Sequence, residues 1–88
     1  MAEISSAQVT CLTTPTLLVT ADTDGCRVVI HKAQNHIIYV GGSDVTTSNG
    51  FKFDHDGTID ISLPANEKLY ACSTSGDQVA YILKIGNR

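Results

Sequence analysis

Turn-forming residues recur about every seven to ten residues along this chain, and that spacing restricts it to short elements of secondary structure. Gly, Asn, Asp, Ser and Pro favour turns because they accept or impose the backbone angles that turns need. Their clusters fall at 22–25, 34–35, 41–42, 48–50, 54–57, 64–66 and 75–77. Turn signals at such regular spacing are typical of an all-β sandwich or barrel.

The segments between the turns have the composition and alternation of strands. Val, Ile and Thr dominate them, and β-branched residues favour a pleated backbone. The clearest case is 58–63, where Ile59, Ile61 and Leu63 alternate with polar residues. Pro64 ends this strand because it lacks the amide hydrogen that a ladder needs. We predict strands at 7–12, 16–20, 26–32, 36–41, 58–63, 67–73 and 78–85, with a short strand at 51–53.

These strands predict a compact antiparallel β-sandwich, or a jelly-roll-like barrel, of about seven to eight short strands. Pro15 either separates the first two strands or bends a single edge strand. Asn49-Gly50 is a strong hairpin signal because both residues tolerate positive φ. The 88 residues make one domain, at 7–88. Residues 1–6 are expected to be a loose tail or an arm that orders on a partner.

Two predicted strands are apolar on both faces, which indicates that each is covered or lies in an interface. They are 27–31 and 37–40. A third segment carries a second apolar set, Val79, Tyr81, Leu83 and Ile85, opposite Gln78, Ala80, Ile82 and Lys84. Since a domain of this size has a thin core, burial of such surfaces in an oligomer is a reasonable expectation.

Charge excludes some classes of partner. Charged residues form 17% of the chain, the net charge is −3, and the Lys and Arg residues are scattered. Nucleic-acid binding needs a basic stripe, so DNA and RNA are not expected partners. No signal peptide and no apolar run long enough for a membrane span are visible, so synthesis in a cytoplasm is expected. The low surface charge fits a protein fixed in an assembly.

No set of residues has the spacing of a known catalytic or metal site. The stretch 54–60 resembles part of a calcium loop but lacks the full ligand set, so a polar turn is favoured. The segment 22–25 is likewise predicted to be a turn. The cysteines and histidines lack the paired spacing of zinc ligands, and Cys11, Cys26 and Cys72 are expected to be buried and reduced. Neither a nucleophile elbow nor a phosphate loop is present, so we expect neither an enzyme nor a cofactor.

One stretch resembles a family. Residues 36–53, His-Ile-Ile-Tyr-Val-Gly-Gly-Ser-Asp-Val-Thr-Thr-Ser-Asn-Gly-Phe-Lys-Phe, are similar to a motif in small structural proteins of tailed bacteriophages. Segments resembling those on either side of that motif occur here at 26–35 upstream and at 69–73 followed by 78–84 downstream, so the resemblance spans about residues 8–85. The segment 41–50 is its distinctive part, whereas the rest is general β patterning.

The resemblance implies a non-enzymatic virion protein on the capsid surface, made in the host cytoplasm. Such a decoration protein binds the major capsid protein, is commonly a trimer, and stabilises the expanded head by mass action. A tail or fibre module that binds host carbohydrate is the alternative. The predicted contact elements are the N-terminal tail, the doubly apolar strands and the region 41–53. The candidate interface residues are Ile4, Val29, Ile37, Tyr39, Val45, Phe51 and Phe53.

Overall fold

A computed structural model of the chain describes residues 4–32, 35–54 and 57–86 and contains eight strands in that part. In chain order they are β1 (Ile4–Cys11), β2 (Thr16–Thr20), β3 (Cys26–Lys32), β4 (Ile38–Gly41), β5 (Phe51–Phe53), β6 (Thr58–Leu63), β7 (Lys68–Cys72) and β8 (Gln78–Gly86). They form sheet A, in the order β1-β8-β3-β6, and sheet B, in the order β2-β7-β4-β5. All neighbouring strands are antiparallel.

The strand order is that of a jelly roll. Most connections cross from one sheet to the other, and only β4 and β5 are consecutive strands that pair with each other. Two interlocked Greek keys with eight strands in two sheets define this arrangement. The predicted all-β sandwich is therefore confirmed, together with its jelly-roll character.

The core lies between the two sheets and is built from alternate residues of each strand. On β3, Cys26, Val28 and Ile30 are fully buried, and on β4 Ile38 and Val40 face them from the other sheet. The alternation predicted on β6 is confirmed, since Ile59 and Ile61 are partly buried against this core. Burial of alternate apolar residues follows from the two-residue period of a strand.

On β8 the smaller of the two alternating sets of residues, and not the larger apolar one, enters the core. On β8 the residues that enter the core are Ala80 and Ile82. The larger set, Val79, Tyr81, Leu83 and Ile85, lies on the outer face of sheet A. Because β8 is a central strand with both faces apolar, pattern alone could not decide which face turns inward.

The first strand starts earlier than predicted. Ile4, Ser5 and Ser6 pair with Ile85, Lys84 and Leu83 of β8, so these three residues belong to β1 and not to a loose tail. Pairing with a neighbouring strand places them in sheet A even though two of the three are serines. Residues 1–3 lie outside the described residues.

The turn residues act as the sequence predicted at several places. The amide of Gly25 donates to the carbonyl of Asp22 at 3.0 Å, and Gly25 has a φ of 79°, which glycine adopts readily. Lys84 Nζ donates to Asp22 Oδ1 at 2.9 Å and ties this turn to β8. Pro15 separates β1 from β2, and Pro64 follows the last residue of β6. His55 and Asp56, within the calcium-like stretch, lie outside the described residues.

Candidate interface surfaces

A stripe of apolar side chains runs along β8 on the outer face of sheet A, between polar residues of β1 and β6. Val29 of β3 lies beside Leu83 of β8, and Ile4 of β1 lies beside Ile85 of β8. The side chains of Ile4, Tyr81 and Leu83 are exposed, with relative exposures of 67%, 39% and 37%. We call this surface, made of Ile4, Val29, Val79, Tyr81, Leu83 and Ile85, the outer face of sheet A.

Three of the polar side chains on this side of sheet A have partners within the chain: Arg27, Asp60 and His31. Arg27 of β3 forms a bidentate ion pair with Asp60 of β6, and its Nε donates to Asp60 Oδ1 at 2.9 Å. These hydrogen bonds from the guanidinium lower the pKa of Asp60. His31 Nδ1 donates to the carbonyl of Gly57 at 2.8 Å, and its ring stacks on Tyr81 with centroids 6.1 Å apart. A partner covering the face would therefore meet charges that are already compensated.

A second apolar site lies between the sheets at their open side, where β5 and β6 are the edge strands. Phe51 is 64% exposed there. Its register opposite Val40 places it on the same side of sheet B as the core residues. Ile59 and Ile61 of β6 and Leu69 of β7 also line this cleft, together with the polar residues Thr58 and Asp60. The cleft is an extension of the core that the described residues leave open.

The loop 42–50 between β4 and β5 is folded tightly against sheet B. Val45 is 2% exposed. A Cβ added at Gly41 or at Gly50 would come within 2.9 Å of Val45 Cγ2, so the valine rests on the backbone of both glycines. The Asn49 side-chain oxygen accepts from the amide of Thr46 at 2.7 Å, and the amide of Gly50 donates to the carbonyl of Thr46 at 2.9 Å.

This loop explains why the segment 41–50 has a distinctive sequence. The hairpin that Asn49-Gly50 predicted exists, since β4 and β5 pair, but its connection is the whole loop and not a two-residue turn. Glycine is needed at Gly41 and Gly50 for close approach, and Asn49 for its side-chain hydrogen bond. Much of the motif thus serves the local fold.

The structure separates the seven candidate interface residues into groups. Ile4 and Val29 share the outer face of sheet A, whereas Phe51 lies in the cleft. Ile37 precedes β4 and is 38% exposed, and Tyr39 lies half-buried on the outer side of β4. Their role in an interface stays a prediction.

Two of the seven are placed where no partner reaches them. Val45 is held over Gly41 and Gly50, and Phe53 is fully buried in the core opposite Ile38. Neither side chain lies on the surface in this conformation, and a role for either in an interface stays a prediction. Of the pair Phe51 and Phe53, only Phe51 is exposed, because Phe53 lies deeper between the sheets.

Sequence reasoning missed Tyr81 and Leu83 as interface candidates. Both belong to the larger apolar alternating set that the sequence of β8 shows, but a set of that composition fits the core of the sandwich as well as an exposed interface. Their exposure depends on Ala80 and Ile82 filling the interior position, which only the packing of the two sheets decides.

The three cysteines are buried and reduced, as the sequence predicted. Burial, and secondarily the proximity of Cys72, raises the pKa of Cys11 from 9.0 to about 11. Burial also raises the pKa of Cys26 and of Cys72. These thiols are poor nucleophiles because the thiolate is the reactive form.

The raised pKa of Cys11 predicts a loss of stability at alkaline pH. Between pH 9 and 11 the unfolded chain releases the Cys11 proton while the folded chain retains it, so unfolding becomes easier as the pH rises. The free energy of unfolding is expected to fall by about 2–3 kcal/mol from this group across that range. Urea unfolding measured at a series of pH values checks it.

Cys11→Ala is the control for this measurement. It removes the titrating thiol but keeps the Lys and Tyr residues that titrate in the same range. Its dependence of stability on pH between 9 and 11 should be shallower than that of the unchanged chain. Equal slopes would show that Cys11 is not responsible.

The described residues contain no group of three or more His, Cys, Asp or Glu side chains placed to hold a metal ion. The same residues contain no helix with the length and apolar character needed to cross a membrane.

Ser73, beside Cys72, donates its hydroxyl to the carbonyl of Cys11 at 2.8 Å and accepts from the amide of Gly76 at 2.9 Å. It therefore links β1 to the turn before β8.

Comparison with known proteins gives a match at the level of fold. No family model matches the sequence, and no curated protein matches it. A solved chain from Bacillus endospore appendages, described as a novel family of disulfide-linked pili, matches with a TM-score of 0.63 and 5% identity. The match covers 97% of this chain and 84% of that one.

A second solved structure is PliG of Aeromonas hydrophila, a periplasmic inhibitor of g-type lysozyme. It matches with a TM-score of 0.44 and 20% identity, over 97% of this chain and 84% of that one. At 5% identity the first similarity shows a shared fold alone. The part of the chain that the structure describes is therefore a β-sandwich whose fold is similar to that of the Bacillus appendage protein.

Proposed function

We propose that this chain is a non-enzymatic structural subunit that binds a neighbouring protein through the outer face of sheet A. The observation that carries the proposal is the exposure of Tyr81, Leu83 and Ile4 together on one sheet face. Exposed apolar residues are ordinary when scattered, but a contiguous set is typical of a protein-binding surface.

The electrostatics of this face support the same function. Arg27 and Asp60 already pair with each other, so a partner can cover them without leaving either charge unpaired. Tyr81 is stacked on His31 and is thereby held in place before binding, which lowers the entropy lost on association. Tyr is also among the residues most enriched at the centre of interfaces.

In finer terms, we propose a capsid decoration protein of a tailed bacteriophage whose partner is the major capsid protein. The resemblance of residues 36–53 to phage structural proteins is what supports this identity. The low fraction of charged residues, 17%, agrees with a protein that works inside an assembly. Binding only to the expanded shell would stabilise that state by mass action.

Binding to undecorated, expanded capsids of the parent phage tests the proposal. The chain should co-sediment with them and raise their temperature of disruption. Absence of both effects would overturn the capsid identity. Binding to host glycans together with absence from purified heads would favour the tail or fibre alternative instead.

A matched pair of variants tests the surface. Leu83→Gln replaces an exposed leucine on the outer face of sheet A by a polar side chain of similar size, and should weaken capsid binding roughly tenfold or more. Leu17→Gln makes the same change at a leucine of β2 in sheet B, which is 45% exposed. It should leave binding unchanged. Equal effects of the two would contradict the proposed surface.

A further inference from the structure

The four edge strands of the sandwich differ in how well they are protected against pairing with another chain. Sheet B ends in β2, whose ladder is interrupted by a register shift between Leu17 and Val19, and in β5, which has only three residues. A bulge and a short length are two common ways of preventing edge-to-edge pairing. Both edges of sheet B are therefore protected.

The β1 edge of sheet A has none of these features. It is eight residues long, its ladder to β8 is regular throughout, and its sequence Ile-Ser-Ser-Ala-Gln-Val-Thr-Cys contains no charge, Pro or Gly. Lys and Pro are the residues that usually interrupt such an edge. Within residues 4–32, 35–54 and 57–86, no strand pairs with the other side of β1.

The length of the free edge is set by Ser73. Its hydroxyl and its amide donate to the carbonyls of Cys11 and Leu12, at 2.8 and 2.9 Å, so the C-terminal end of β1 is already bound to the chain. The part of β1 left free is 4–10, and its central residue is Ala7.

We propose that a second copy of this chain pairs with this edge, β1 against β1 in antiparallel orientation, to form a two-fold dimer with one continuous eight-stranded sheet. Self-pairing suits β1 because it brings no like charges together, and like charges directly opposite destabilise a strand pair. A two-fold contact also uses up the edge on both copies, so the assembly closes.

The register follows from the two faces of the sheet. The outer faces of the two copies must lie on the same side of the joined sheet. Even-numbered residues of β1 therefore lie opposite even-numbered residues of the second copy, and odd-numbered opposite odd-numbered. Full use of 4–10 then places Ala7 opposite the second copy's Ala7, and Ser6 opposite its Gln8. Ile4, the most exposed large apolar residue described, lies opposite Thr10.

The other free edge of sheet A is less suited to this role. β6 carries Asp60, whose side chain is already bound to Arg27 of β3. If β1 of one copy paired with β6 of another, the first copy would keep a free β6 edge and the second a free β1 edge. Further copies could then add at both ends, and the assembly would grow into a fibre. The dimer goes beyond the proposed capsid role and differs from the trimer that the resemblance implies.

Charge substitutions on β1 test the dimer. The double variant Ser6→Lys/Gln8→Lys places like charges opposite each other twice, and should weaken dimerisation roughly tenfold or more by analytical ultracentrifugation. Mixing it with Ser6→Glu/Gln8→Glu should restore a mixed dimer, which shows that both variants are folded. Thr58→Lys/Ser62→Lys on β6 is the matched control and should dimerise like the unchanged chain.

Cross-linking tests the register. Ala7→Cys should form a disulfide-linked dimer under mild oxidation, because the two side chains lie opposite each other across the two-fold axis. Ile61→Cys, at the centre of β6, should not. A monomeric unchanged chain, an open series of polymers, or cross-linking only through Ile61→Cys would each overturn the proposal. These measurements use the chain without capsids, so they fail or succeed independently of capsid binding.

Discussion

Replacing Phe53 with alanine is expected to lower the free energy of unfolding by about 3–5 kcal/mol. Phe53 is fully buried and lies on the inner side of β5, opposite Ile38. The centroid of its ring also lies 5.7 Å from Nζ of Lys32, a residue that is itself only 2% exposed. Removal of the ring therefore leaves a cavity and takes a favourable contact from a buried ammonium group.

This loss is large for a domain whose whole stability is roughly 5–15 kcal/mol. Urea unfolding of the two chains measures it. Phe51→Ala is the matched control: the same residue type on the same strand, but 64% exposed, and its change should stay within about 0.5–1 kcal/mol. If Phe53→Ala does not fold, Phe53→Leu keeps most of the volume and should show a smaller loss. Similar losses for Phe51→Ala and Phe53→Ala would contradict this packing.

Replacing Gly50 with alanine is expected to cost about 1–3 kcal/mol of unfolding free energy. A Cβ at Gly50 would lie 2.7 Å from Tyr39 Cβ, 2.9 Å from the carbonyl oxygen of Thr46 and 2.9 Å from Val45 Cγ2. Two of these neighbours are a backbone atom and a Cβ, which cannot move without shifting the strand or the loop.

The control for this prediction is Gly42→Ala, in the same loop. A Cβ there meets only Asp44 Oδ1, at 3.6 Å, which is an ordinary contact. Its effect on the thermal midpoint should be small, whereas Gly50→Ala should lower the midpoint by several degrees. Equal thermal midpoints for the two variants would show that the close approach of the loop to β4 does not require glycine at position 50.

Val45 and Phe53 show why a distinctive segment of sequence does not identify surface residues. The segment 41–50 is distinctive in sequence, but glycines and apolar residues are needed both for a tightly folded loop and for a binding surface. Val45 and Phe53 turned out to be internal, because the loop folds back over Gly41 and Gly50 and because the β5 register points Phe53 inward. Phe51, two residues away and on the same side of the strand, is exposed because it lies at the open side of the sandwich.

Local features determined the elements by themselves. The predicted limits of the eight strands lie within a few residues of the observed ones. They followed from turn residues at short intervals, from the alternation on β6, and from the prolines Pro15 and Pro64. These signals act over two to four residues, so they are readable without knowledge of the partner strand.

Only the tertiary structure decided which surfaces face outward. On β8 both sets of alternate residues include apolar side chains, and the choice of Ala80 and Ile82 for the core depends on the volume between the sheets. The strand order, and with it the free edge at β1, likewise depends on pairings between residues far apart in the chain. Such contacts are set by the joint packing of all strands, and no single segment of the sequence contains them.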